Sequence, residues 1–139
     1  MGRAFTSNHD LGGAELLFAI PEHRVALDDD RRPSQSALWV VLWTTKGYVS
    51  ITIRAKAGEE FEKPIEQWFK QEFNGKKRRL DFLTKELGLM EPPPCFIRYQ
   101  LIHRTVAAVL DARRCHFELA LMLVQSFEES PRFHPTHSP

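Results

Sequence analysis

Two cationic residues separated by one alanine end a β-rich run, and side chains of these types at this spacing could act on an anion. The run VSITI leads into Arg54, Ala55 and Lys56, and a glycine and several acids follow. A carboxylate and a lysine at the end of a strand would hold a hard divalent cation and place a positive charge beside an attacked phosphate. Here the lysine is present, and Arg54 stands where we would look for the carboxylate.

A predicted hairpin brings one more position to this place. Residues 37–43 and 49–54 are β-rich runs separated by TTKGY, in which Gly47 can adopt a positive φ angle. Because the hairpin is antiparallel, Ala37 should lie opposite one of residues 54–56. Alanine binds no metal, so the hairpin offers no carboxylate at this point.

Other carboxylates could replace the missing ligands. The candidates are Glu59, Glu60, Glu62, Asp28, Asp29 and Asp30. They leave open an alternative in which displaced carboxylates hold Mg²⁺ beside Lys56. Acidic clusters of this kind are more often solvated loop residues, which is what we expect here.

The nearby cations form a candidate set for binding nucleic acid or a partner. Arg54 and Lys56 could contact a phosphate or carboxylate, since arginine offers a planar fork and lysine a point charge. The run GKKRR opens a predicted helix, where positive charge opposes the macrodipole unless an anion compensates it. The full set is Arg31, Arg32, Arg54, Lys56, Lys76, Lys77, Arg78 and Arg79. The sequence leaves open whether these residues converge or lie on solvated faces, and Arg54 could instead pair with a glutamate.

The composition is that of one soluble globular domain. The chain has 139 residues, of which 42% are hydrophobic, with 19 Lys and Arg against 18 Asp and Glu. Attraction of the whole molecule to nucleic acid is not indicated, so any basic footprint must be local. Cys95 and Cys115 lack the spacing of a metal site, and no apolar run approaches the ~20 residues of a bilayer span. We expect reduced thiols and a cytoplasmic protein that does not enter membranes.

The elements that must position these residues are predicted in the order helix, strand, hairpin, helices, strand. Residues 12–20 are predicted to form a short helix that stops at Pro21, and residues 23–27 a short strand. Three helices are predicted after the hairpin: residues 59–73 with an apolar stripe that includes Phe73, residues 76–88 ending at Gly88, and residues 96–114 as the longest. Residues 117–127 are predicted as a buried strand. The pattern indicates a small α/β (α+β) sandwich over residues 14–128, with flexible segments at 1–13 and 129–139.

Several segments carry a resemblance to a known family. They are PEHRVALDDDRRPSQSALWVVL, IRAK with GEEF after it, RLDFLTKELGL, IRYQLIHRTVAAVLDARR and LMLVQSF. Together they resemble an uncharacterised bacterial domain family that is similar to a branch of the PD-(D/E)xK, restriction-endonuclease-like superfamily. The resemblance covers about residues 14–128. It implies a restriction-endonuclease-like sandwich, in which helices flank a central mixed sheet that contains the hairpin.

The resemblance also implies which positions would carry catalysis. The family's aspartate and glutamate correspond to Ala37 and Arg54, whereas Lys56 matches the family's lysine, and Gln125 replaces a usual histidine. The helix that follows residue 96 is implied to flank the cleft through Arg98, Gln100, His103 and Arg104. His103 could act as an acid or base near neutral pH, but a lone helical histidine is more often structural, which is what we expect.

Three classes of function follow. The first, which we expect, is an inactive PD-(D/E)xK-like domain that binds or inhibits nucleic acid or a protein complex that processes it, as a phage or mobile-element regulator of host defence would. It requires no cofactor and no metal. The second is an active nuclease that uses Mg²⁺ on displaced carboxylates. The third is a structural homodimer in which exposed Trp39, Trp43 or Trp68 mark the dimer face.

Overall fold

The computed structural model describes residues 11–27, 33–57, 62–70 and 74–127. Its strands and helices are β1 (Glu15–Pro21), β2 (Arg24–Val25), β3 (Ser34–Gln35), β4 (Leu38–Thr44), β5 (Gly47–Ala57), α1 (Ile65–Phe69), α2 (Asn74–Glu86), α3 (Tyr99–Arg114) and β6 (Leu119–Phe127). Four strands form a mixed sheet in the order β1-β4-β5-β6, and β2 pairs with β3 in a separate ribbon. The predicted mixed α and β fold class is confirmed.

The β4–β5 hairpin forms the centre of the sheet, as predicted. Its register pairs Leu38 with Ile53 and closes where Thr44 meets Gly47. Gly47 has a φ angle of 118°, which residues with a side chain rarely adopt. The apolar run of β4 lies between β1 and β5 in the sheet, and its side chains from Trp39 to Leu42 are buried.

Strand β6 lies beside β5 and runs parallel to it. Parallel neighbours need a long crossover, which α1, α2 and α3 supply. Helix α3 packs on β5 and β6 and also contacts α2. The prediction of a strand at β6 is confirmed, but the prediction that it is buried is wrong. Strand β6 ends the sheet, and its described side chains are half-buried or exposed.

The two faces of β5 differ in polarity. Val49, Ile51 and Ile53 lie on one face and belong to an apolar cluster that also contains Val40 and Leu11. Strand alternation places the polar side chains on the other face. They are Ser50, Thr52, Arg54 and Lys56. The sheet therefore has one apolar side and one side on which hydrogen bonds and charges must be satisfied.

Trp39 of β4 connects this polar face to α3. Its Nε1–H donates to Ser50 Oγ at 3.0 Å. The Trp39 ring stacks on His23 with 4.4 Å between centroids. His23 in turn donates from Nε2 to Asp111 Oδ2 of α3 at 3.0 Å. Helix α3 therefore covers the polar face of the sheet, where Arg54 and Lys56 point.

A second apolar cluster lies between the helices. Leu83 of α2 and Val106 of α3 are completely buried in it, with Ile65, Tyr99 and Ala107. Helix α2 ends as predicted, since Gly88 adopts a φ angle of 67° just beyond its last turn. Helix α3, with 16 residues, is the longest helix in the described part of the chain, which confirms that prediction.

The prediction of a helix at residues 12–20 is wrong, because residues 15–21 form β1. A short apolar run such as ELLFAI fits helical and strand spacing equally well, and tertiary pairing decides between them. Here the run pairs antiparallel with β4, with an irregularity between Leu16 and Phe18. Pro21 ends the strand, as it would have ended a helix.

Two further predictions are modified. Helix α1 spans five residues, shorter than the predicted helix, and Phe73 lies outside the described residues. Leu11, which the sequence placed in the leader, is buried in the apolar cluster. In the ranges that the structure describes, no helix is long and apolar enough to cross a membrane.

Candidate functional site

Ala37 and Arg54 lie next to the final pair of the hairpin register. That pair joins Leu38 with Ile53, so Ala37 precedes it on one strand and Arg54 follows it on the other. The carbonyl oxygen of Ala37 accepts a hydrogen bond from the Glu22 N–H at 3.0 Å. Both positions thus lie at the same end of the hairpin, which we call the rim, and one of them is a cation.

Arg54 lies close to Arg104 of α3. Burial first, and then the positive charge of Arg54, lower the pKa of the Arg104 guanidinium, while the carboxylate of Glu62 raises that pKa. Arg104 Nη1 donates to the carbonyl oxygen of Gln35. The Nε atoms of Arg54 and Arg104 are buried, and neither has a hydrogen-bond partner within the described structure.

Arg79 of α2 reaches the same region from a second helix. Its side chain is 5% exposed, and Nη1 donates to the Tyr99 hydroxyl at 3.5 Å. The charges of Arg104 and Arg79 both act on His103, which lies on α3. Lys56 is 4% exposed and shares the face of β5 with Arg54. We call Arg54, Lys56, Arg79 and Arg104 the cation cluster.

His103 is held neutral beside Arg104 and Arg79. Burial lowers its pKa to about 3, with further lowering by Arg104 and Arg79. Its Nδ1 shares a hydrogen bond with Ser34 Oγ at 2.9 Å, and both residues are buried. A histidine of this kind cannot exchange protons near neutral pH. Burial and the hydrogen bond to Ser34 give His103 the environment of a structural histidine.

The remaining residues predicted to flank the cleft have different positions. Gln100 is 2% exposed, and its Oε1 has no hydrogen-bond partner within residues 11–27, 33–57, 62–70 and 74–127. Arg98 precedes α3 and donates from Nη1 to the carbonyl oxygen of Glu62 at 3.4 Å. Gln100 thus lies in the protein interior, whereas Arg98 connects the start of α3 to the segment before α1 through this hydrogen bond.

The predicted basic set divides into separate groups. Arg79 points into the cation cluster, whereas Lys76 Nζ donates to the carbonyl oxygen of Trp68 at 2.6 Å. Lys77 and Arg78 are exposed. Arg31, Arg32, Glu59, Glu60, Asp28, Asp29 and Asp30 lie outside the described residues. Residues of one basic run therefore lie in two different places, with Arg79 in the cation cluster and Lys76 beside Trp68.

The described residues at the rim do not fit a divalent cation. Ala37 has no ligand atom, and Arg54 adds a positive charge. Two unit charges ~4 Å apart repel by ~1 to 4 kcal/mol, depending on screening. Within the described residues, no three His, Cys, Asp or Glu side chains are grouped so that they could hold a metal ion. The carboxylate of Glu62 instead acts on Arg104.

Three hydrogen-bond partners of the site residues were not predicted from the sequence. Ser34 and Gln35 of β3 bond to His103 and Arg104, and Tyr99 bonds to Arg79. No local signal identified them. Of the three tryptophans that could mark the dimer face in the third class, Trp39 is buried, with 8% of its surface exposed. Trp43 is 41% exposed, and Trp68 is half-buried against Tyr99.

The comparisons with known proteins give one match. No curated protein and no solved structure matches the chain. A family model with the description "Domain of unknown function (DUF6946)" matches residues 1–135. This match covers nearly the whole sequence, and the chain belongs to that family.

Proposed function

We propose that this chain is a binding module whose cation cluster contacts nucleic-acid phosphates in a cleft related to that of PD-(D/E)xK nucleases. The single observation that supports the proposal is the convergence of cations from three elements: Arg54 and Lys56 from β5, Arg79 from α2, and Arg104 from α3. The resemblance to the nuclease pattern implies Lys56 as the family's lysine and Arg104 as a residue that flanks the cleft.

An anion would compensate the neighbouring positive charges of Arg54 and Arg104. Burial of a cation is costly unless an opposite charge or hydrogen bonds compensate it. Arg54 is the half-buried member of the cluster, so it offers a route from solvent to the more buried cations. The buried Nε–H groups of Arg54 and Arg104 have no acceptor within the described structure. A phosphate oxygen is a suitable acceptor, because arginine binds phosphate with a planar fork of donors.

The test is equilibrium binding of labelled duplex DNA and single-stranded RNA, measured by fluorescence anisotropy across a salt series. Arg54→Gln should weaken binding of the preferred nucleic acid about tenfold, since a hydrogen bond between charged groups contributes about 1.5–3 kcal/mol. For duplex DNA, the slope of log K against log salt should also become less steep by about 0.9, the value for one lost phosphate contact.

Arg114→Gln is the matched control. Arg114 is 61% exposed and lies on the same helix as Arg104, but ten residues further on, which is about 15 Å along the helix axis. It should leave affinity and salt slope unchanged. The proposal fails if the natural protein binds neither nucleic acid at low salt, or if both variants weaken binding equally.

The alternative, an active nuclease with displaced carboxylates, is tested by isothermal titration with Mg²⁺ and Mn²⁺. We expect no uptake by the natural protein and uptake by the double variant Ala37→Asp with Arg54→Glu, because adjacent rim positions then present two carboxylates beside Lys56. Metal binding by the natural protein, together with cleavage of DNA or RNA, would establish the alternative.

A specific surface favours the third class, a structural homodimer. Every residue of β1 is exposed, including Leu16, Leu17, Phe18 and Ile20, and an exposed apolar edge strand is unusual in a monomer. Light scattering after size-exclusion chromatography measures the mass in solution. A dimer that Leu17→Lys converts to a monomer would support this class, and a monomeric natural protein would exclude it.

A further inference from the structure

Helix α1 separates two neighbouring hollows outside the cation cluster. One, which we call the apolar hollow, has a volume of about 510 Å³. Most of its lining is apolar, from Ile65, Phe69, Leu80, Pro92 and Pro93, with Cys95 and the charged residues Glu66 and Lys70 beside them. The other, the lysine hollow, has a volume of about 380 Å³ and is lined by Lys63, Gln67, Trp68, Lys70 and Lys76. Lys70 lines both, so a single ligand could occupy the two hollows together.

The lysine hollow is cationic and partly preorganised. Its described lining contains three lysines and no carboxylate. Lys76 is fixed in place, since Nζ donates to the carbonyl oxygen of Trp68 at 2.6 Å and lies 5.3 Å from the centroid of the Trp68 ring. Lys63 and Lys70 are exposed and can move to meet a ligand. An anionic group entering this hollow would meet positive charge from several directions.

The contacts of Trp68 disfavour stacking of a nucleotide base here. Single-stranded nucleic acids bind by stacking bases on aromatic rings. The Trp68 ring is stacked on Tyr99, with 3.9 Å between centroids and 10° between planes, and Lys76 Nζ lies over the ring as well. The ring is therefore already engaged by protein groups.

The apolar hollow beside it indicates a protein ligand. A nucleic-acid backbone has no group that would fill a hollow lined by isoleucine, phenylalanine, leucine and prolines. A protein segment can place an apolar side chain there and carboxylates a few residues away, at about 3.3 Å per extended residue. Phe96 follows Cys95 and is 70% exposed, which adds apolar surface at the rim.

We infer that the two hollows form a docking site for a protein segment in which an apolar side chain lies beside two or more acidic residues. The apolar side chain occupies the apolar hollow, and the carboxylates contact Lys63, Lys70 and Lys76. This inference does not depend on nucleic-acid binding by the cation cluster, because the two sites use different cations.

The test begins with a library of displayed random peptides selected on the immobilised full chain. The expected winners combine one or more large apolar residues with at least two acidic residues. Their affinity, measured by anisotropy with labelled synthetic copies, should fall at least tenfold in Lys70→Glu. Lys85→Glu is the matched control, because Lys85 is exposed in the last turn of α2 and lines neither hollow, and it should leave affinity within twofold.

The two cysteines provide a second readout in the unaltered protein. Cys95 lines the apolar hollow, whereas Cys115 follows α3, and both thiols are exposed. A selected peptide should slow maleimide modification of Cys95 at least fivefold and leave the rate at Cys115 unchanged. Equal protection of both thiols would place the peptide elsewhere.

Three results would overturn the inference. The first is a selection without enrichment of apolar and acidic residues. The second is an affinity that Lys70→Glu and Lys85→Glu change equally. The third is protection of Cys95 by a DNA duplex of about 20 base pairs that Lys70→Glu abolishes, since the hollows would then belong to a nucleic-acid surface.

Discussion

The stability of the protein should depend on pH through His103. Folding places this imidazole in a buried site beside Arg104 and Arg79, which lowers its pKa from 6.5 to about 3. In the unfolded chain the same group takes up a proton near its usual pKa. Between these two values the unfolded state therefore binds more protons than the folded state. As a result, the free energy of unfolding falls as the pH falls below about 6.5.

The magnitude follows from the interval between the two pKa values. At pH 5 the unfolded imidazole is about 1.5 pH units below its pKa, and each unit is equivalent to about 1.4 kcal/mol, so His103 should lower the free energy of unfolding by about 2 kcal/mol. The folded pKa scarcely affects this value, provided that it lies well below 5. At pH 7.5 the contribution is close to zero.

His103→Asn isolates this contribution. Asparagine carries no titratable group, and its amide can still meet Ser34 Oγ, which is 2.9 Å from Nδ1 in the natural protein. Urea unfolding at pH 7.5 and at pH 5 gives the free energy of unfolding for each protein. Between these pH values the natural protein should lose about 2 kcal/mol more than the variant.

The contributions of other titrating groups to the pH dependence of stability cancel when the two proteins are compared. Burial raises the pKa of Asp111, although its hydrogen-bonded neighbour His23 lowers it, and this pair is present in both proteins. His116→Asn is the matched control, because His116 is exposed and its φ angle of 57° suits asparagine. The reasoning is refuted if His103→Asn and the natural protein lose the same stability on acidification.

The remaining predictions concern the core and two glycines. Leu83→Ala should lower the free energy of unfolding by about 2–5 kcal/mol, because Leu83 is completely buried between the helices, and urea unfolding measures this loss. Gly47→Ala should cost about 1–3 kcal/mol in the same assay, since φ is 118° and a Cβ would displace the Glu118 carboxylate, which accepts a hydrogen bond from the Tyr48 N–H. Gly75→Ala should instead stabilise by about 0.4–1 kcal/mol, because Gly75 is helical and a Cβ there meets no atom within 4 Å. Equal changes in the free energy of unfolding for Gly47→Ala and Gly75→Ala would contradict both predictions.

The hairpin and the later helices could be predicted from the sequence because their signals are local. Gly47 marks the turn, Gly88 marks the end of α2, and the apolar spacing of α2 and α3 follows the helical period. Strand β1 could not be predicted in this way. Its short run fits either period, and its pairing with β4 is a long-range interaction.

About half of the candidate site could be predicted. The hairpin register places Ala37 beside Arg54, and strand alternation places Lys56 on the same face. The sequence indicates Arg79 as one of several candidate cations but does not distinguish it from its neighbours, because GKKRR looks like a uniform basic run. Only the packing of α2 against α3 sends Arg79 into the interior while Lys77 and Arg78 stay exposed.

The sequence by itself determined that positions 37 and 54 carry no carboxylate and which elements form locally. Alanine and arginine cannot supply a carboxylate however the chain folds. The tertiary structure decided which groups surround Arg54 and His103. It brings Arg104 to Arg54, and it keeps His103 neutral beside Arg104 and Arg79. It also turns Lys76 towards Trp68, in a different site. These juxtapositions join residues far apart in the chain, so they depend on packing and long-range pairing, which local sequence patterns do not encode.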